Sequence, residues 1–411
     1  MNADAKELAA RFDLEQLTAE FYDNPYPTYR ALRENEPVKR LPNGTVFLTR
    51  YDDLVAAYKN TKSFSSDKKK EFSPKYGDTP LYEHHTMSLV FNDPPAHTRV
   101  RRLIMGALSP RAIAGMEGDL IKLIDGLLDA IAAKGDCELI EDFAASIPIE
   151  VIGNLLDVPH DERGPLRDWS LAILGALEPV VSTEVAARGN KAVTDFLAYL
   201  ETLVARRRQK PGNPERDVLT RLIQGEGSGE ENGERLTEKE LLHNCIFLLN
   251  AGHETTTNLI GNGLVALDRN PDQKQRLIDT PDLIKTAVEE MLRYESSNQL
   301  GNRMTTEKVE LGGVTLEAGT SVTLCIGAAN RDPAQFPDPE AFDIGRTPNR
   351  HLAFATGAHQ CAGMALARLE GAIAISRFLA RFPNYAVSGQ PVRGGRVRFR
   401  GFLSVPCSIG R

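Results

Sequence analysis

Phe354-Ala-Thr-Gly-Ala-His-Gln-Cys-Ala-Gly363 decides how this chain is read. It sets one cysteine, Cys361, in a loop of small residues directly ahead of a helical run, Met364-Ala-Leu-Ala-Arg-Leu-Glu-Gly-Ala-Ile373. Glycine and alanine on both sides let a flat ligand approach the backbone closely. The helix that follows aims its N-terminal N–H groups and the positive end of its dipole at the sulfur, which favours thiolate over thiol. A lone cysteine in a turn is ordinarily a buried structural residue. Here it keeps company with Phe354, Gly357, His359 and Gly363, and the combination points to a ligand-binding loop.

Outward from that loop, composition narrows the class. With 411 residues, 41% apolar and 26% charged, the chain matches an ordinary globular protein with a large core. A net charge of −7 argues against a nucleic-acid partner, which calls for a basic surface. The five cysteines (Cys137, Cys245, Cys325, Cys361 and Cys407) form no CxxC pair, which speaks for a reducing compartment and against a disulfide framework or a structural zinc site. Met1–Leu8 shows no hydrophobic signal core, and no uncharged apolar run reaches the ~18 residues of a membrane span. A soluble, cytoplasmic protein without a membrane anchor is expected.

From about residue 97 to 300, apolar residues recur at the helical spacing of three and four. Strand signals lie at Thr45–Thr49, Val309–Leu316 and Ser321–Ile326, and exposed loops are expected at Lys210–Pro214 and Gly225–Gly229. A Pro-rich irregular segment, Asp332–Pro348, leads into the cysteine loop. No repeat or linker divides the chain, so the expectation is a single domain over 1–411, mainly α with a small β region. Thr237 and Glu240 are spaced as a capping box at the start of a helix that meets no proline before Pro271. About 30 residues at 1.5 Å each span roughly 45 Å, enough to cross the domain. Its middle, Asn250-Ala-Gly-His-Glu-Thr-Thr-Thr257, sets polar residues at consecutive positions that cannot all face water. Such side chains compete for backbone groups and Gly252 weakens the ladder, so a local distortion is expected.

The cysteine loop and this helical segment together resemble the haem-ligand loop and the oxygen-activation motif of the cytochrome P450 family, whose fold runs a long central helix over the haem. The resemblance implies haem b, held without covalent attachment, with Cys361 as axial ligand of the iron; no CxxCH occurs. In Ala251–Thr256 it implies that Gly252 makes room for dioxygen, and that Glu254 and Thr255 form an acid–alcohol pair. Splitting dioxygen consumes protons, and a hydroxyl backed by a carboxylate near bulk water delivers them without flooding the pocket. Asp93–Arg101 resembles the start of the propionate-binding helix, which assigns His97 and Arg101, together with His359 and Arg303, to the propionates. Glu290-Met-Leu-Arg293 matches the family's ExxR motif with Arg346 as third partner, a scaffold holding the segment before Cys361. Two departures stand out. Glu254 stands where many members carry Asp, and Ala355 replaces the usual glycine after Phe354, which a negative φ would permit.

A member of this family would be a monooxygenase that inserts one atom of O₂ into a small organic substrate, by hydroxylation or O-demethylation. The length leaves no room for a fused reductase, so a ferredoxin or flavodoxin-like donor with its reductase is expected, docking on a basic patch near Arg99, Arg102 and Arg368, with the enzyme a monomer. Two other readings share Cys361: an O₂-independent haem-thiolate isomerase or dehydratase, and a non-catalytic haem sensor or electron carrier. The Glu254–Thr255 pair counts against both. By position, the substrate pocket should be lined by Leu248, Ala251, Asn298, Gln299 and Phe402, the 68–91 loop, the region near Trp169–Pro179, Ser296–Asn302 and the turn at Gly401–Leu403. Lys68, Lys69, Lys70, Lys75, Tyr76, Tyr82, His84 and His85 would supply cationic and hydroxyl donors, with Ser297 and Asn302 across from them. A small aromatic acid or phenol is the substrate this suggests.

Overall fold

The computed structural model describes residues 3–214, 217–225 and 236–410, so the expected Gly225–Gly229 loop lies, past Gly225, outside the described residues. The long helix runs over Glu238–Arg269, and its capping box is formed: Glu240 N–H donates to Thr237 Oγ1 at 3.2 Å while Thr237 N–H donates to Glu240 Oε2 at 2.8 Å. Most of its residues are buried, because helices pack on it from several sides. Ser146–Leu155, Leu166–Gly175, Thr183–Gln209, Ile284–Tyr294 and Met364–Arg381 all contact it. Their apolar faces merge into one large core with this helix through its middle.

The expected distortion of this helix is not seen, and it continues unbroken through 250–257. Thr255 Oγ1 donates to the Ala251 carbonyl at 2.7 Å and Thr257 Oγ1 to that of His253 at 3.0 Å. The hydroxyls bond one turn back along their own helix instead of competing for its N–H groups. Gly252 makes a close helix crossing, since a Cβ there would come within 2.5 Å of the Ile152 side chain.

A five-stranded sheet lies outside the main helical core, in the order Val38–Arg40, Val46–Leu48, Ser321–Cys325, Leu300–Thr305, Phe64–Ser65. Val46–Leu48 and Ser321–Cys325 run parallel and the other pairs antiparallel. Two smaller apolar clusters seat the sheet, one against the N-terminal helices and one under Leu54, Tyr58 and Leu352. Val309–Leu311 and Val314–Leu316 form a separate hairpin. The 68–91 segment is not a loop: it folds into Lys69–Tyr76 and Pro80–Met87, the latter capped by Thr79, whose side chain accepts from Tyr82 N–H. Among the described residues no helix is long and apolar enough to cross a membrane.

Candidate functional site

The cysteine loop closes on itself before the Met364–Arg381 helix begins. Cys361 N–H donates to the Phe354 carbonyl at 2.9 Å and Ala355 N–H to that of Leu352 at 2.8 Å. Gly357 has φ +77° and lies so near the backbone of Tyr58 that a Cβ would sit 2.6 Å from its carbonyl oxygen. Ala355 has φ +53°, contrary to the negative value expected for a non-glycine residue there. The loop's own hydrogen bonds hold it in the left-handed region at a cost of about 1–2 kcal/mol.

Behind the loop, Glu290 and Arg293 are completely buried and joined at 2.7 and 2.8 Å. Arg346 donates from Nε to the same carboxylate at 3.1 Å. Arg293 then donates to the carbonyls of Asn330, Pro339 and Ala341, and Arg346 to those of Pro337, Asp338 and Ala341. These bonds tie down the Pro-rich segment where no helix or strand satisfies its carbonyls.

A cavity of about 340 Å³ lies between the central helix and the cysteine loop. Cys361, His359, His97, Arg101 and Arg303 line it, as do Leu248, Ala251, Gly252, Thr255 and Asn298. A wider surface cleft of about 730 Å³ beside Lys239 and Glu83 shares only Leu89 with it. The rings of His97 and His359 stand 4.0 Å apart. Nε2 of each, and Nε of Arg303, has no hydrogen-bond partner among the described residues. Burial, then Arg303, His97 and Arg101, depress His359 to about 3; burial and Arg101 lower His97 too. Mutual repulsion and unmade bonds among buried cationic and imidazole groups mark a place for an anion. Haem propionates fit that donor set. Burial pushes the Cys361 thiol up, against the pull of Gly363 N–H, Arg101 and Arg368. The helix end alone therefore does not make the thiolate; a metal cation against the sulfur would.

Glu254 is placed differently from Thr255. It lies outside this cavity, in a crevice of about 20 Å³ with His253, Asn258 and Arg167, and Arg396 donates to both its oxygens at 2.6 and 2.7 Å. Burial pushes its carboxyl up to about 7 although Arg396 opposes the shift. Phe402 lines the same crevice and not the cavity, which takes Phe399 and Arg398 from that turn instead. Gln299 is also off the cavity: its amide turns inward to donate to the Ser296 carbonyl at 2.7 Å, whereas Ser297, Asn298 and Asn302 reach the wall. Of the Trp169–Pro179 region, Leu174 and Leu177 reach the cavity, while Trp169 itself stacks on Phe196 in the core.

Two of the expected lysine donors are used elsewhere, and none of the four lines the cavity. Lys68 is buried against Glu71 at 2.6 Å, Lys75 donates to the Glu178 carbonyl at 2.7 Å, and Tyr76 to that of Ala176 at 2.5 Å. Only His84 and His85 of that group line the cavity. The expected docking patch is also partly neutralised: Arg368 pairs with Glu289 at 2.6 Å, and Arg99 pairs with Glu240. Sequence reasoning missed Arg396 and Arg398, and it named Asn250 within the polar run of the central helix without giving it a role. The alternation of arginines in Arg393–Arg400 was the available signal for the first two.

A sequence model of the family described as Cytochrome P450 matches residues 169–280 and 281–393. The chain is 37% identical over 370 residues to the biotin biosynthesis cytochrome P450 of Bacillus subtilis, covering 89% of this chain and 91% of that one. It is 36% identical over 397 residues to the vitamin D(3) 25-hydroxylase of Pseudonocardia autotrophica, covering 95% of each. Among solved structures it is similar to P450BioI in complex with an acyl carrier protein ligated to hexadec-9Z-enoic acid, with a TM-score of 0.89 at 35% identity, over 95% of this chain and 100% of that one.

Proposed function

The chain belongs to the cytochrome P450 family and is a P450 monooxygenase; on that premise we propose that Cys361 ligates the iron of a non-covalent haem b. The observation that carries this reading is that Cys361 and Thr255 line one cavity together with His97, Arg101, Arg303 and His359, a donor set whose charge and chemistry suit haem propionates. Bound haem supplies the electron-transfer and dioxygen-splitting chemistry. The Glu290–Arg293–Arg346 cluster keeps the cysteine loop in place, and the apolar walls exclude water.

Thr255 presents its hydroxyl at the cavity, held by the Ala251 carbonyl. Glu254, on the far side of the helix, takes up and releases a proton near neutral pH. Handing that proton to Thr255 requires the carboxyl to turn away from Arg396. Electrons come from a ferredoxin or flavodoxin-like protein with its reductase, docking on the cysteine side of a monomeric enzyme.

The substrate is a largely apolar molecule with an uncharged oxygen. Leu89, Phe91, Ile152, Leu174, Phe247 and Leu248 make up much of the wall away from Cys361. The cations among the described lining residues are Arg101, Arg303 and Arg398. The first two belong to the propionates, and Arg398 donates to the carbonyls of Leu177 and Leu300 and to the Asn302 amide oxygen. Of the two substrates first suggested, a phenol therefore matches better than an aromatic acid. The test is a reduced carbonyl difference spectrum, then NADPH consumption with a surrogate ferredoxin system. A far red-shifted Soret band and substrate-stimulated, O₂-dependent product formation support the assignment. A reduced protein without that band overturns it.

A further inference from the structure

We propose that His84, His85 and Asn250 form a neutral hydrogen-bonding corner of the cavity that receives a hydroxyl of the substrate and directs oxidation to a remote carbon. This rests on the cavity's being the monooxygenase pocket.

The Pro80–Met87 helix is fastened to the central helix by Asn244, which accepts from Leu89 N–H at 3.0 Å and donates to the Met87 carbonyl at 3.4 Å. That attachment lays His84 between His243, whose ring is 5.7 Å away, and Asn250, whose Nδ2 is 3.5 Å from His84 Nε2. The His85 ring stands 5.1 Å from that of His84. His84, His85 and Asn250 are only 2%, 1% and 4% exposed, yet His84 Nδ1, His85 Nε2 and Asn250 Oδ1 have no partner among the described residues. All three residues line the cavity. Buried polar groups left unpaired are costly, and a ligand that pairs them recovers that cost.

The arithmetic of donors and acceptors selects the ligand group. If the Asn250 amide nitrogen faces His84 Nε2, His84 Nδ1 keeps its proton and donates, while Asn250 Oδ1 accepts. With the amide turned over, the two roles exchange. In either case the pair offers one donor and one acceptor, which a hydroxyl satisfies at once and a carbonyl only by half. Burial and the neighbouring imidazoles lower His84, and burial with the charges of Lys75 and Arg398 lowers His85, so both rings are neutral. Lys75 already donates to the Glu178 carbonyl and Arg398 to the Leu177 and Leu300 carbonyls, which leaves a carboxylate no imidazolium and no unengaged cation to pair with. Asn250 and Thr255 are five residues apart on one helix, which is about 7.5 Å along its axis. A hydroxyl held at Asn250 therefore leaves a carbon several bonds away beside Thr255.

The experiment titrates the holoenzyme with octan-1-ol, n-octane and octanoate at matched free concentration, following the haem spin-state shift, and maps the products from octan-1-ol. Octan-1-ol should bind about tenfold tighter than either analogue and be oxidised toward the far end of its chain. In His84→Phe and Asn250→Leu, checked for haem content, that preference should fall to within about twofold and the products should scatter along the chain. Holoenzyme that binds octane or octanoate as tightly as octan-1-ol overturns the proposal, and this wild-type ranking decides it even if a variant fails to fold. Protein lacking the thiolate-haem carbonyl band would instead overturn the monooxygenase reading beneath it.

Discussion

Replacing Glu290 by glutamine preserves volume and removes one negative charge from the most enclosed ionic cluster behind the cysteine loop. Its carboxylate accepts from Arg293 Nε and Nη2, from Arg346 Nε, from Asn349 Nδ2 and from Asp343 N–H. A carboxylate is acceptor-only, whereas a glutamine turns an NH₂ toward some of those donors. Arg293, with its side chain at 0% exposure, is left without a counter-charge. Breaking a buried pair in this way costs about 3–5 kcal/mol. At ~2.1 cal/mol/K per residue, a chain of this length gains about 0.9 kcal/mol per degree in unfolding, so Tm should fall by about 4–6 °C. Arg368→Gln is the matched control, because its partner Glu289 is on the same helix as Glu290 but their pair is partly exposed at 39% and 26%. That pair is worth about 0–1 kcal/mol. Calorimetry of the holoenzyme, with haem retention followed on the same samples, measures both. If Glu290→Gln costs no more than Arg368→Gln, the cluster does not hold the loop and the reasoning fails.

Four further outcomes follow from the site. Cys361→His should abolish the far red-shifted Soret band of the reduced carbonyl complex; a variant that keeps it would put the iron on another sulfur. Thr255→Ala should retain haem and substrate binding while product formation drops about 10²-fold or more and the NADPH electrons go to reducing O₂ to hydrogen peroxide, read as coupling efficiency. Because burial holds the Glu254 carboxyl near 7, its protonated fraction falls as pH rises through neutrality. Coupling should therefore decline from pH 6 to 8 in the wild type and stay flat in Glu254→Gln, which a pH series of product per NADPH checks. Gly357→Ala forces a side chain into φ +77° and against the Tyr58 carbonyl. It should lower stability by at least about 1–2 kcal/mol and reduce haem content on purification, measured by unfolding and by the haem absorbance ratio.

Much of this protein is legible along the chain because its key devices are short-range. The Thr237–Glu240 capping box, the Glu290–Arg293 spacing and the Cys361 loop ahead of its helix each follow from residues within a turn or two, where backbone geometry dictates what meets what. Those local features, in order, were enough to identify the fold and to make Cys361 the candidate ligand. Direction and distant partners were decided by packing. Thr255 and Glu254 are neighbours in sequence, yet one faces the cavity and the other a crevice, where Arg396 arrives from 142 residues away. Lys68 and Lys75 look like free donors in sequence, but the short helix that Lys68 precedes and Lys75 nearly ends turns them to Glu71 and the Glu178 carbonyl. Ala355 takes a left-handed φ because Leu352 and the closed loop leave it no alternative. A sequence lists which groups must be satisfied; only the assembled core, by allotting each buried group its partner, determines which of them remain unpaired and able to bind a substrate.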